Sequence, residues 1–152
     1  MEIAPLKSFL ENLLETAGFT DSFLEINEDY SDKLIKINIR TQDSGLLIGR
    51  GGENLEAFEM ILNMVSKKLI EDFDWRIVLD INSYRTIYEE KLREFAQKAA
   101  HKVSISKEPL ELPPMASKDR RIIHLEIALR SDVKTESVGE GKNRHIIIKP
   151  TE

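Results

Sequence analysis

The sequence predicts an α+β fold of two small modules, with the element order αββααβ in the first and αβαββ in the second. Three observations support this prediction. Apolar residues recur at helical spacing in some segments and at every second position in others. Positions 49, 51 and 52 are glycines that separate two apolar segments. The length of 152 residues suits one domain or two small ones, and we place the domains at residues 1–82 and 83–152.

The first module is expected to open with a helix and a β-hairpin. The helix over residues 5–17 ends at Gly18, and its apolar side holds Leu6, Phe9 or Leu10, Leu13 and Leu14. Two strands follow, over residues 23–27 and 34–40. In the second strand every other residue is apolar, namely Ile35, Ile37 and Ile39. The short polar segment between the strands predicts an antiparallel pair.

A helical region and a returning strand complete the first module. A short helix leads into the glycines, and a longer helix follows over residues 54–70. Its apolar residues are spaced by three and four positions, and they are Leu55, Phe58, Leu62, Val65 and Leu69. The alternation of apolar and other residues over residues 75–81 then predicts a strand.

The second module is expected to start with a long helix over residues 84–102, which Asn82 or Ser83 would cap. The apolar side of this helix contains Tyr88, Leu92, Phe95 and Ala99. The remaining elements are a short strand, a helix with Ser117 as its N-cap, and a hairpin, predicted over residues 110–112, 117–129, and 133–138 with 145–148. Two glycines between the last two strands favour the hairpin.

Several classes of function are disfavoured by composition. The chain has no cysteine, which excludes disulfides and thiolate metal sites, and its three histidines show no ligand spacing with carboxylates. The carboxylate pairs that would suit acid–base chemistry lie in a polar turn or on a helix face, at Asp72 with Asp74 and Glu89 with Glu90. We therefore expect no enzyme, no catalytic residue, no small-molecule substrate, no metal and no cofactor.

A membrane location is also disfavoured. No run approaches the roughly 18 apolar residues that a membrane-spanning helix needs. Acidic residues interrupt the N-terminal apolar segment, unlike in a signal peptide. We therefore expect a cytoplasmic protein without membrane insertion.

Charge is distributed unevenly along the chain. The net charge is −5, but residues 1–82 hold 8 Lys or Arg against 16 Asp or Glu, whereas residues 83–152 hold 14 against 11. The first half is therefore at −8 and the second at +3. Attraction to phosphate is expected mainly in the second half, and the acidic first half could instead mark a protein-binding surface.

The glycine cluster Gly49-Arg50-Gly51-Gly52 lies directly before a long helix. Glycine allows positive φ and close approach of a ligand, and the N-terminus of the following helix favours an anion. By itself the cluster is weak evidence for binding, and a tight turn between two helices is then the favoured explanation. Its position after a hairpin and before a helix and strand resembles a type II KH domain, and Ile48 through Leu55 resemble the KH signature. This resemblance implies that the loop clamps about four single-stranded nucleotides.

The same resemblance implies which residues form the first binding site. The RNA-binding loop corresponds to Ile48, Gly49, Arg50, Gly51, Gly52 and Leu55, and the bases would lie over a groove that involves Leu47, Ile48 and Leu55. No chemistry is expected there, because binding is what such a loop does.

Arg120 and His124 lie four residues apart on the penultimate helix and therefore project from the same face. An arginine binds phosphate through two N–H groups, and an imidazole donates a hydrogen bond or stacks on a base. From spacing alone, a packed histidine beside Ile123 and Ile127 is the favoured explanation. Residues 114–125 and 132–141, however, resemble the Arg-x-x-x-His (R-three-H) domain of the bacterial Jag/KhpB family, in which that domain directly follows a KH domain.

The family resemblance covers residues 1–149 and implies an RNA-binding protein with a post-transcriptional role in cell elongation and division. Single-stranded RNA or single-stranded DNA would be the ligand, and a KH-only protein of the KhpA type or a second copy would be the protein partner. The form expected here is one without the additional N-terminal domain of many members. The alternative is an interaction adaptor that dimerises through its KH domain and has little RNA affinity of its own.

One departure from the family shifts the expected RNA contacts. The family loop commonly carries two basic residues, whereas Gly51 takes the second place and Glu53 follows. RNA contacts are therefore expected to be shared with, or led by, the second module. The basic and polar residues of that module that we assign to binding are Arg120, Arg121, His124, Lys142 and Arg144, with Lys149 adding charge.

Overall fold

The computed structural model describes residues 3–151 and has the α+β architecture that the sequence predicts. The chain divides into two compact units, the first of which ends at Arg85 and the second of which starts at Thr86. Residues 1, 2 and 152, at the outer ends of the two predicted domains, lie outside the described part of the chain. Of the helices within residues 3–151, none combines the length and apolarity that crossing a bilayer requires.

The first unit contains three helices and three strands in the predicted order. They are α1 (Ala4–Thr16), β1 (Phe23–Asp29), β2 (Leu34–Arg40), α2 (Ser44–Ile48), α3 (Glu53–Leu69) and β3 (Arg76–Ile81). Strand β2 is central in the sheet, because it pairs antiparallel with β1 and parallel with β3. Strand β3 is therefore an edge strand.

The core of the first unit lies between the sheet and the helices. Its fully buried residues come from the alternating positions of β2 and β3 and from one side of α1 and α3, and they include Leu6, Leu10, Ile35, Ile37, Ile39, Leu55, Leu62, Ile77, Leu79 and Ile81. Of the two predicted alternatives on α1, Leu10 is the buried residue. The prediction was wrong for Leu13 and Leu69, which are exposed. On α3, Ser66 is buried instead and donates its hydroxyl to the Leu62 carbonyl at 2.7 Å.

The second unit contains a three-stranded sheet of its own and the greater part of a long helix, which starts at Tyr84 in the first unit. Its elements are α4 (Tyr84–Ser106), which begins within the last two residues of the first unit, β4 (Leu110–Glu111), α5 (Ser117–Ile127), β5 (Val133–Val138) and β6 (His145–Pro150). The sheet order is β4-β6-β5, and both pairs are antiparallel. Strand β5 is thus an edge strand, and α5 contributes Ile123 and Ile127 to the core beneath it.

Helix α4 buries the expected Ala99, and Leu92 packs against the same core, but Ala96 takes the place expected for Phe95. Its core residues are Ala96, Ala99, Ala100 and Val103, whereas Phe95 is 42% exposed. Ranking residues by hydrophobicity favours Phe95 over Ala96 and does not reveal which of these two neighbours faces the core.

The predicted helix caps at Asn82 and Ser117 were also wrong. The Asn82 side chain binds the backbone of Thr41 through two hydrogen bonds, at 3.1 and 2.8 Å. Helix α5 starts at Ser117 itself, after Ala116, and its N-cap position provides no side-chain hydrogen bond.

Candidate nucleic-acid interface

The glycine loop, residues 49–52, joins α2 to α3 through a single 3-10 turn. Its three glycines all have positive φ, at 72° for Gly49, 61° for Gly51 and 86° for Gly52. These are left-handed or related conformations that side chains with a Cβ rarely adopt. The glycines are therefore required by the backbone path of the loop.

Gly49 and Gly52 are also required by packing. A Cβ on Gly49 would lie 2.6 Å from Cγ of Asn54, whose amide donates to the Leu46 carbonyl at 2.8 Å. A Cβ on Gly52 would lie 2.9 Å from Cε1 of Tyr84. Both distances are shorter than van der Waals contact, so a side chain at either position would require the neighbouring side chain to move.

Arg50 and Gly51 form the exposed tip of the loop. A Cβ on Gly51 would meet no atom within 4 Å. Within residues 3–151, the Arg50 guanidinium has no ion-pair partner. The N-terminus of α3 lies next to the tip and carries a partial positive charge, but Glu53 and Glu56 in its first turn offset it. The tip therefore carries the exposed positive charge of Arg50 close to the acidic residues Glu53 and Glu56.

The apolar residues assigned to this site differ in accessibility. Ile48 and Leu47 are half-buried, so part of each side chain remains available beside the loop. Leu55 is only 1% exposed and belongs to the core of the first unit. Direct contact of Leu55 with a base, which the family resemblance implies, is therefore disfavoured.

The outward edge of β3 is occupied by side chains of the same unit. Asn63 bonds both the N–H and the carbonyl of Ile77, at 2.8 and 3.0 Å. The Leu79 N–H donates to Glu59 at 2.9 Å, and Arg85 donates to the Leu79 carbonyl at 3.2 Å. Arg85 also pairs with Glu59 at 2.7 Å. An open strand edge would offer these groups to a ligand, whereas here they are already bonded.

In the second unit, Met115 connects two of the predicted basic residues. A terminal nitrogen of Arg120 donates to the Met115 carbonyl at 2.7 Å. The Met115 N–H in turn donates to the Arg144 carbonyl at 3.3 Å. Residues that are 24 positions apart in sequence are thereby held around one backbone segment.

Two hydroxyl groups of strand β5 are hydrogen-bonded to side chains of the predicted site, one to His124 and the other to Arg144. His124 Nδ1 lies 2.6 Å from the Thr135 hydroxyl, and Arg144 Nε donates to the Ser137 hydroxyl at 3.1 Å. Thr135 and Ser137 are two residues apart and therefore lie on the same face of β5. We call the side chains of Arg120, His124 and Arg144 the second-unit basic surface.

His124 is poised to remain neutral within this surface. Burial lowers the pKa of its imidazole below the usual value, and the positive charge of Arg120 lowers that pKa further. At neutral pH the ring therefore has one N–H donor and one nitrogen acceptor.

The other predicted basic residues stand apart from this surface. Arg121 and Lys142 are exposed, and hydrogen bonds between described residues do not tie either of them to the surface. Lys149 forms an ion pair with Glu136. It lies opposite Lys134 in the sheet, on the face away from Thr135 and Ser137. The structure therefore groups Arg120, His124 and Arg144, and leaves Arg121, Lys142 and Lys149 outside the group.

Several residues of these sites escaped the sequence analysis. They are Glu59, Asn63, Tyr84, Met115, Thr135 and Ser137. The polar residues among them lie on helices or strands, where polar side chains normally face water, so neither composition nor spacing distinguished them from solvated side chains. Met115 acts through its backbone carbonyl and N–H, which no side-chain pattern reveals. Among the described residues, no group of three His, Asp or Glu side chains is arranged to hold a metal ion.

Two families of known domains match this chain, one for each half. Residues 7–79 match the family described as KhpA/KhpB, KH domain. Residues 90–150 match the R-three-H domain family. The matches follow the order that the two sequence motifs predict.

Relatives with both halves are found among bacterial proteins. An RNA-binding protein KhpB of Clostridium symbiosum is 34% identical over 141 residues, which are 92% of this chain and 62% of that protein. An RNA-binding protein KhpB of Bacillus subtilis (strain 168) is 31% identical over 149 residues, which are 96% of this chain and 69% of that protein. The chain thus spans about two thirds of these relatives.

The small ribosomal subunit protein uS3 of Clostridium acetobutylicum is similar over a shorter stretch. It is 33% identical over 64 residues, which are 41% of this chain and 27% of that protein.

Proposed function

The chain belongs to the KhpB family, and we propose on this premise that it is a non-catalytic protein that binds single-stranded RNA. Single-stranded DNA is the second nucleic acid that the same contacts would accept. The family resemblance extends the proposal to a post-transcriptional regulator in the cytoplasm, connected with bacterial cell elongation and division.

The second-unit basic surface is the observation that carries this proposal. Arg120 uses one N–H group for Met115, and Arg144 uses Nε for Ser137. A guanidinium has five N–H donors, so both arginines keep donors for a ligand. Two arginines and a neutral histidine held together by internal hydrogen bonds form a preorganised site for phosphate oxygens.

The glycine loop would add a smaller contribution. Arg50 and Gly51 are exposed, and the loop backbone is close to the N-terminus of α3. A phosphodiester can approach the backbone at Gly51 because no side chain intervenes. The nearby Glu53 and Glu56 reduce the attraction, which agrees with the leading role assigned to the second unit.

The closed edge of β3 favours binding that tolerates many sequences. Base identity is read through hydrogen bonds to base edges, whereas phosphate contacts carry no sequence information. The outward groups of Ile77 and Leu79 are already bonded to Asn63, Glu59 and Arg85. The first unit would therefore hold the RNA backbone and leave the bases unread along this strand.

RNA affinity is expected to fall steeply with salt. If Arg50, Arg120 and Arg144 each neutralise one phosphate, the logarithm of the association constant should fall by about 2 per tenfold increase in salt. Fluorescence anisotropy with a random-sequence single-stranded RNA pool measures this slope. Arg50→Gln should reduce the slope by about 0.7, which corresponds to one phosphate. A flat salt response would contradict the electrostatic part of the proposal.

A second candidate function, a dimerising adaptor, is favoured by the exposed apolar residues of α3. Met60 and Met64 are 61% and 62% exposed, and Ile61 lies between them. Two apolar grooves of about 320 and 420 Å³ adjoin Ile61. Contiguous exposed apolar surface often marks a protein interface. Because the matching KH family includes both KhpA and KhpB, the partner proposed is a KH-only protein of the KhpA type, with a second copy of this chain as the other outcome.

Met60→Lys/Met64→Lys is expected to abolish this association while leaving the fold intact, because two buried charges at an interface are costly. Light scattering would measure the mass of the chain alone and mixed with a KH-only partner. Leu125→Lys/Leu129→Lys is the matched control, since it places two lysines on exposed leucines at the end of α5 and just after it. Association that survives the α3 change, or that is lost equally in the control, would argue against this interface. Tight association together with no RNA binding would favour the adaptor.

A further inference from the structure

The Thr135 hydroxyl is in contact with His124, yet neither the family resemblance nor the charge pattern assigns it a role. The oxygen lies 2.6 Å from Nδ1 of the imidazole, which is a short hydrogen bond. Thr135 belongs to the edge strand β5, and His124 belongs to α5. The bond therefore joins the two elements that frame the second-unit basic surface.

The numbers of donors and acceptors on Thr135 and His124 indicate which of the two groups donates. A neutral imidazole has one donor and one acceptor nitrogen, while a hydroxyl can donate and accept. Within the described residues, Nδ1 is the acceptor within reach of the Thr135 hydroxyl hydrogen. If Nδ1 carried the proton instead, the half-buried hydroxyl would be left without an acceptor, which costs free energy. Donation from Thr135 to Nδ1 satisfies both groups.

We propose that Thr135 is a positioning residue that donates to Nδ1 of His124 and thereby keeps the proton on Nε2, where it faces a nucleic-acid phosphate. With this tautomer, Arg120, His124 and Arg144 present only N–H donors. A phosphate oxygen is an acceptor without hydrogen, so the surface recognises RNA backbone rather than a base edge that carries donors. The inference rests on the proposed function and names the chemical group that the site takes.

The hydroxyl of Ser137 supports this assignment, because it orients Arg144 as the Thr135 hydroxyl orients His124. Ser137 accepts a hydrogen bond from Arg144 Nε at 3.1 Å, which orients the terminal nitrogens of that arginine. Because Thr135 and Ser137 lie on one face of β5, a single strand aligns the histidine and the arginine. Preorganised donors bind more tightly than freely rotating ones, since less conformational entropy is lost on binding.

The test reads the tautomer and the RNA affinity separately. Nitrogen-15 NMR of the full chain distinguishes Nε2–H from Nδ1–H in each histidine ring, and His124→Gln identifies the His124 signals by their loss. We expect the wild type to show the Nε2–H form. Thr135→Val keeps the side-chain shape but removes the hydroxyl, and it should give a mixture of both forms and a roughly three- to tenfold weaker affinity for random single-stranded RNA, about the effect of one lost hydrogen bond. Thr135→Ser should restore both properties.

Two results would overturn the inference. One is an Nδ1–H tautomer in the wild type. The other is a folded Thr135→Val variant, verified by circular dichroism, that retains the Nε2–H form and the wild-type affinity. If the wild type shows the expected tautomer but binds no RNA, the proposed function fails and with it the assigned ligand, while the positioning of His124 by Thr135 stands.

Discussion

Arg120→Gln/Arg144→Gln is expected to weaken binding of single-stranded RNA about tenfold or more, because each change removes charge-assisted hydrogen bonds to phosphate. The two residues meet at Met115, one through its guanidinium and the other through its carbonyl. Glutamine keeps a long polar side chain and therefore preserves most of the local packing. Fluorescence anisotropy at fixed ionic strength, with a random-sequence RNA pool, measures the loss.

The chain offers a matched control for this experiment. Lys134→Gln/Lys149→Gln removes the same number of positive charges from the same unit, but from the opposite face of its sheet. If phosphate is bound at the second-unit basic surface, the control should change affinity by less than about threefold, because distant charges are screened at physiological salt. Equal losses in the two variants would mean that net charge alone attracts RNA and that the surface has no special role.

Gly52→Ala is expected to lower the free energy of unfolding by about 2–5 kcal/mol, which is the largest stability effect that we assign to a single methyl group. The left-handed conformation at φ 86° costs a residue with a Cβ about 1–2 kcal/mol. The new Cβ would also lie 2.9 Å from the Tyr84 ring, and such overpacking typically costs about 1–3 kcal/mol. Urea denaturation followed by circular dichroism measures the change.

Gly51→Ala separates the two contributions to this loss. Gly51 has a similar left-handed φ of 61°, but a Cβ there would meet no atom within 4 Å. We expect this variant to lose only the conformational part, about 1–2 kcal/mol. A loss for Gly51→Ala as large as that for Gly52→Ala would show that backbone strain accounts for both and that the contact with Tyr84 is unimportant.

The order and type of the elements were accessible from sequence because their signals are local. The alternation of Ile35, Ile37 and Ile39 identified β2, and a strand with one buried face requires such alternation. Strands β2 and β5 have the predicted bounds, and the helices differ from prediction by a few residues at their ends. The motifs in the glycine loop and on α5 were also local, so both could be found without knowing the fold.

Burial of individual helix residues was less accessible, because it depends on what each helix packs against. Leu10 was not separable from Phe9 by periodicity, and Phe95 is exposed although it is the larger residue beside Ala96. The buried positions of α4 include three with small side chains, Ala96, Ala99 and Ala100. A hydrophobicity pattern ranks residues by transfer free energy and contains no information on which of two neighbouring positions faces the core.

The amino-acid sequence alone was enough to predict two α+β units in the αββααβ and αβαββ orders, with an acidic first half, a glycine loop and an Arg-x-x-x-His pair. Tertiary packing, in contrast, established that Gly49 and Gly52 are packing positions while Arg50 and Gly51 are exposed. It also decided that Glu59, Asn63 and Arg85 close the edge of β3, and that Met115, Thr135 and Ser137 gather Arg120, His124 and Arg144. These outcomes depend on packing contacts and hydrogen bonds between different segments of the chain, which form only after the core has packed and brought those segments into contact.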